Sequence, residues 1–357
     1  MRIVTLAGDI LGGFAMGRLL FSALIAVLFA TAPAHAACRM VGDVDGKSGK
    51  PHFLKIDPAD AAKLAEIGVD RAMIFTSMAE TAIPETGGCW AAPSGDFDGQ
   101  LVSVGMSQWN FGTGSLQPLL KSWRSRFASE AAFVNARNAL SPAYGALIFS
   151  DGCLKVPVSA ACRSGIAAAE NGAGKLNPVI EGEFIALFET DLMLQVQTDT
   201  YVKLLRSVQA DLARVFPSGP ITPRKIKWAI DTKVQQGGFP PDDDLLRVRL
   251  KMLSLTDAQR ALRLKALVRW YAALGDTIDQ DGIVYDTAWN TQRWNCMIDA
   301  GLVDPEQFEL LHFTFLRSRV ATGNSGRWQA LTFQRRAKII LGVGSIGGTR
   351  TGDCPAP

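Results

Sequence analysis

The stretch "GDFDGQLVSVGMSQWNFGTG", residues 95–114, sets glycines at 95, 99, 105, 112 and 114 in a chain otherwise patterned for helices. Glycine weakens a helix interior and frees positive φ, while "LVSVGMSQW" reads as a strand. The segment therefore cannot continue the helices on either side. It predicts a short β element near Asp98, and the "DG" step at 98–99 predicts a sharp turn that presents the Asp98 carboxylate.

What surrounds that element reads as helix. Asp57 as N-cap and Pro58 at the first helical position open a helix expected from about Pro58 to Glu80, with Gly68 weakening its middle. A loop with two prolines, Gly87-Gly88 and Cys89 follows. From Ser115 onward Leu116, Leu119, Leu120, Trp123 and Phe127 fall on one side of a helical pattern. Further helices are expected over about 183–215, 222–236, 245–251, 256–274 and 305–321. Residues 150–177, rich in Gly, Ala and Ser, read as a surface excursion stapled by cysteines. The sequence has no internal repeat.

The N-terminus, "MGRLLFSALIAVLFATAPAHA", has the cationic start, apolar core and small-x-small exit of a cleaved secretory signal, with the cut expected after Ala36 and Met16 a plausible start. Its apolar run is too short for a comfortable span, and no later segment has the roughly 18 uninterrupted apolar residues of one. A secreted or periplasmic protein free of the membrane is expected, acting as a monomer, with residues 37–357 as one domain of two lobes. All six cysteines follow the cut, which predicts up to three disulfides. Cys153 with Cys162 can close a small loop, and Cys38 with Cys354 can tie the termini, among 15 possible pairings. His52 and His312, the only histidines after the cut, lie beside no cysteine pair, so no metal site is expected, nor any organic cofactor. The formal charge of +3 gives no polybasic footprint for nucleic acid.

Two carboxylates on neighbouring elements suggest a glycosidase pair. One acid must be protonated to release the glycosidic oxygen, and the other ionised to activate water. Glu80, expected at a helix C-terminus whose partial negative charge disfavours ionisation, suits the acid. Asp98, eighteen residues on in a wetter turn, suits the base, with the Ser103 hydroxyl holding the water. Trp109 is placed to stack on a sugar face, and Gln108, Asn110 and Thr113 to contact substrate. The same residues also have plain readings: a Glu and an Asp at this spacing are usually surface groups, and Gln108 or Asn110 can simply cap a strand end. Glu85 competes with Glu80 for the acid role. Asp96 reads as a turn residue or as an acceptor behind the site residues, and Asp231 with Arg336 as a structural ion pair. "GVGSIGG" at 342–348 contains G-x-G-x-x-G, but a dinucleotide site needs a following helix and an acid some twenty residues on, and only ten residues follow Gly347, so it reads as a tight turn or a loop near a cleft.

The order "SMAET", eighteen residues to "DGQ", then "S-x-G" and "FGTG", resembles the core of the lysozyme-like superfamily, in particular the chitosanases of glycoside hydrolase family 46. "AIDTKVQQGG", 229–238, is similar to a D-x-x-V-x-H-G helix in that family, with Gln236 at the histidine position. "GDFDGQ", "QWNFG" and "LQPLL" also resemble secreted bacterial proteins of lysozyme type. The matched segments run over 71–120 and 228–238, with a fainter likeness over 335–348. The resemblance implies a two-lobed, mostly helical α+β fold with a small hairpin beside a cleft. It also implies an inverting hydrolase with Glu80 as acid, Asp98 as base and Ser103, in place of the family threonine, as water holder. Ser115 stands where chitosanases carry an aspartate that grips the substrate amine. Together with the slightly basic charge, this favours peptidoglycan or a related amino-sugar polymer over chitosan. The alternatives are a chitosanase and a non-catalytic wall-binding protein on the same fold.

Overall fold

Two hydrophobic clusters organise the chain, and one long helix belongs to both. The structure is a computed structural model that describes residues 39, 56–70, 89–96, 99–172, 174–275, 281–321 and 326–354. Glu80, Glu85 and Asp98, like the signal segment, Cys38 and His52, lie outside the described residues. Residues 37–357 cluster as one unit, and the architecture is mostly helical with two small two-stranded sheets.

Helix α1 (Pro58–Ala65) starts as expected, with the Asp57 side chain accepting from Ala59 N at 2.8 Å. It does not run on toward Glu80. A turn at 66–68 ends it, with Gly68 at φ +74°, a left-handed position that glycine occupies without strain. The helical pattern after Ser115 likewise divides, into α2 (Gln117–Arg124) and α3 (Glu130–Leu140), because Ser129 caps the second helix through Ala132 N.

Residues 150–177 correct the expectation of a surface excursion. They form α5 (Asp151–Leu154) and α6 (Ala160–Ala167), preceded by the short α4 (Gly145–Ile148), and the Cys153–Cys162 disulfide is buried between α5 and α6 with Ile166 and Ala169. This bridge, Phe133, Trp123, Phe149 and the helix α7 (Pro178–Phe188) build the smaller cluster. The helix expected over 183–215 is α7 followed by α8 (Asp191–Val215), separated where Thr190 accepts from Met193 N and starts a new helix.

The first turns of α8 place Met193 and Val196 in the smaller cluster and Leu194 in the larger one, and from Tyr201 onward its buried apolar residues all belong to the larger. There it packs with α9 (Pro223–Gln236), α10 (Asp242–Met252), α11 (Asp257–Gly275), α12 (Asp281–Asp299), α13 (Pro305–Ser318) and α14 (Arg327–Leu341). Capping residues set several boundaries, Thr222 for α9 and an Asp304–Gln307 capping box for α13. Among the described residues no helix is long and apolar enough to cross a membrane.

"GVGSIGG" is a turn. β3 (Gly344–Ile346) and β4 (Thr349–Thr351) pair antiparallel across Gly347-Gly348, whose φ values of +57° and +77° suit a tight hairpin. A buried polar network holds the hairpin down. Asn290 accepts from Ser345 N at 2.6 Å and donates to Ser345 O at 3.0 Å, Asp286 accepts from the Ser345 hydroxyl, and Trp294 donates to Val343 O at 2.8 Å. Cys354 then bonds to Cys296 on α12 and not to Cys38, and Cys89 is also disulfide-bonded.

His312 on α13 shows one energetic cost of the larger cluster. Its ring stacks on Phe308 at 4.3 Å and its Nδ1 lies 2.8 Å from Phe308 O. Burial first, and the nearby Arg263 charge last, push its pKa down, partly opposed by that carbonyl. The unfolded chain therefore takes up the proton more readily than the native one, so stability is lost as pH falls below the ordinary 6.5 toward the depressed native value. Thermal melts from pH 7 to 5 should show a falling midpoint in the wild type and a shallower fall in His312→Gln.

Candidate functional site

The glycine-punctuated segment folds into a compact hairpin between the two clusters. β1 (Ser103–Val104) pairs with β2 (Trp109–Asn110), Ser103 opposite Asn110, and on its other side Ser103 exchanges both backbone hydrogen bonds with Ser94 at 2.8 and 3.0 Å. Ser103 is thus the centre of a three-segment ladder and is 3% exposed. Leu101, Val102 and Val104 enter the smaller cluster, Met106 the larger, and the half-buried Trp109 packs on both.

Backbone strain concentrates here. Among the described residues the non-glycine positions with positive φ are Ala92 (+40°), Leu101 (+63°) and Gln108 (+51°), and each such position costs on the order of 1–3 kcal/mol and persists only where its surroundings enforce it. Side chains enforce two of them. Asp96 accepts from Leu101 N at 3.0 Å while its own N–H donates to Glu170 at 2.6 Å, which makes Asp96 the turn residue expected. Gln108 donates to Ala92 O at 2.7 Å and Gly105 O at 3.3 Å, and accepts from Ser94 Oγ at 3.0 Å.

Gly105 is required twice over. Its φ is +87°, and a Cβ there would stand 2.6 Å from the Trp109 ring and 3.0 Å from Gln197 Oε1. Gln197, fully buried on α8, accepts from Met106 N at 3.2 Å and donates to Phe188 O at 3.1 Å, which fastens the loop to the helix shared by both clusters.

The substrate-contact candidates divide. The Gln108 amide is engaged within the loop. Asn110 Oδ1 accepts from Thr113 N and Thr113 Oγ1, both at 2.8 Å, and the Ser115 hydroxyl accepts from Asn110 N at 2.9 Å. Ser115 therefore closes the "FGTG" turn. Thr113 is exposed, and Trp109 keeps part of its ring accessible. The structure brings Ser103, Gln108, Trp109, Asn110 and Thr113 onto one hairpin.

A second feature is a buried cluster of charge. Asp231, on the inner face of α9, accepts from Arg335 Nε and, at 3.1 Å, from Arg336 Nε, both on α14. Arg336 also donates to Gln236 Oε1 at 2.6 Å, and Gln236 is clasped by Arg317, donating to its carbonyl at 3.0 Å and accepting on its own carbonyl at 2.6 Å. Burial lowers the pKa of Arg336 to about 10 even though Asp231 opposes the shift. Asp231 and Arg336 are the structural pair expected. Arg335, Arg317 and the buried Glu183, which accepts from Ser141 Oγ at 2.5 Å and two backbone amides, carry no local sequence signal.

No protein-family model matches the chain, and no curated protein or solved structure matches it.

Two substitutions test this geometry. Gly105→Ala should lower unfolding free energy by about 2 kcal/mol through left-handed strain and the clash with the indole, with an altered tryptophan emission spectrum. Asp231→Asn leaves buried guanidinium groups without their carboxylate and should cost about 3–5 kcal/mol in urea unfolding.

Proposed function

We propose that the chain is a glycoside hydrolase of lysozyme-like type that cleaves β-1,4 bonds in peptidoglycan or a related amino-sugar polymer, by single displacement with inversion. The observation that carries this reading is the strained hairpin. The three left-handed non-glycine residues surround Ser103, within the segment whose sequence resembles the catalytic core of family 46. Strain of this kind collects where a backbone must hold groups in one place.

In the proposed reaction a water oxygen bonds to the anomeric carbon as the glycosidic C–O bond breaks. The proton of that water passes to Asp98, the departing oxygen takes the proton of Glu80, and exchange with solvent restores both acids. Ser103, at the centre of the ladder, holds the water through its hydroxyl. Trp109, paired with Val104 one step along the ladder, offers an aromatic ring that is partly open to solvent, and Thr113 is exposed in the turn after β2. Inversion calls for carboxyl groups roughly 6.5–9.5 Å apart, with room for the water between them.

The test is a pair of assays on the wild type and two variants, with purified sacculi and with chitosan, following soluble fragments and new reducing ends. Sacculi should be the substrate digested. Glu80→Gln should reduce turnover by about a thousandfold while remaining folded, and Ser103→Ala should lower kcat by about tenfold to a hundredfold with little change in KM. Release from chitosan alone indicates a chitosanase. Binding to sacculi with no release indicates a non-catalytic wall-binding protein.

A further inference from the structure

A groove of about 530 Å³ opens between α2, the start of α3 and α5. Its floor is apolar. Leu154 is buried there, and half-buried Phe127 stands edge-on to Trp123 at 4.7 Å. One wall is fixed by Arg124, which donates to Glu130 at 2.9 and 3.2 Å and lies 5.0 Å over the Phe133 ring. That pair cancels its own charge. Lys121 and Lys155 also line the groove, both exposed, and among the described residues neither forms an ion pair. With Asp151 as the remaining carboxylate in the lining, the groove keeps a net positive charge.

The elements that line the groove also touch the hairpin. Gln117, in the first turn of α2, donates to Phe111 O at 3.0 Å and to Lys155 O at 3.4 Å, and Gly114 leaves no room for a Cβ against Val156. The "FGTG" turn thus abuts the segment that carries Lys155. Lys121 follows Gln117 by one turn on the same face, about 6 Å along the axis. A polymer lying over Trp109 and Thr113 and passing along α2 would next meet the two lysines.

We propose that this groove is an outer subsite that receives the carboxylate-bearing part of a peptidoglycan strand, with Lys121 and Lys155 as cationic contacts over an apolar floor of Phe127 and Leu154. The inference rests on the glycan reading of the hairpin and assigns its preference for anionic glycan to two named side chains. Exposed ammonium groups attract carboxylates modestly, and the attraction is screened by salt. The subsite therefore contributes affinity and selectivity without taking part in bond cleavage.

The test is equilibrium binding of the full chain to two probes at low ionic strength: a purified disaccharide-peptide fragment of peptidoglycan, which carries carboxylates, and a neutral N-acetylglucosamine hexamer. Lys121→Gln/Lys155→Gln should weaken the anionic probe about tenfold, an effect that shrinks in high salt, and leave the neutral hexamer unchanged. Lys121→Arg/Lys155→Arg should bind like the wild type. Unchanged affinity for the anionic probe in the glutamine variant overturns the proposal. So does an equal loss for both probes, which would mean altered packing, and so does a wild type that fails to bind the anionic probe. Failure of the hydrolase reading shows separately, as a wild type that binds this fragment in a lysine-dependent way yet releases nothing from sacculi.

Discussion

The approach of the Trp109 indole to Gly105 is the contact on which the candidate site depends. It lies where the two hydrophobic clusters meet, and Trp109 packs on both. No side chain fits at position 105, so the indole can lie against bare backbone. Gln197 secures the same loop from α8, the helix that also serves both clusters. The hairpin is therefore not an ornament on one core. Its left-handed residues are held by the packing around it, which gives one pair of two-residue strands a stability that an isolated hairpin of that length would lack.

The buried arginines impose the opposite kind of constraint. Taking guanidinium groups out of water is costly, and one carboxylate answers two of them directly. Asp231 and the Gln236–Arg317 clasp tie the C-terminal end of α9 to α13 and α14 with directional bonds where apolar packing would allow sliding. The arrangement selects one register of three helices, at the expense of stability that a purely apolar core would have kept.

How far the sequence discloses this depends on the range of the forces involved. Local signals read well: Asp57-Pro58, Thr222-Pro223 and Asp304-Pro305 mark helix starts, the glycine-rich segment becomes a strained hairpin, and "GVGSIGG" becomes a turn. Cys153–Cys162 is bridged as short spacing suggests. Errors arise where a local pattern meets a tertiary demand. Gly68 stops a helix that apolar periodicity would carry on, and Thr190 divides one that composition would join. The Ala- and Ser-rich run at 150–177 looks like surface, yet its cysteines are buried because small residues let short helices pack closely. Helices α12 and α14 go unread, and with them Arg335, whose carboxylate partner lies 104 residues away. The groove over Phe127 and Leu154 is also invisible in one dimension, since three separate helices make it.

The C-terminal hairpin has a consequence for how the two cores draw on the chain. The smaller cluster draws on residues 91–196, a contiguous block of the chain. The larger cluster waits for Val343, and the network on Asn290 and the Cys296–Cys354 bridge wait for residues later still. The smaller core is thus local in sequence, whereas the second is incomplete without the last few dozen residues.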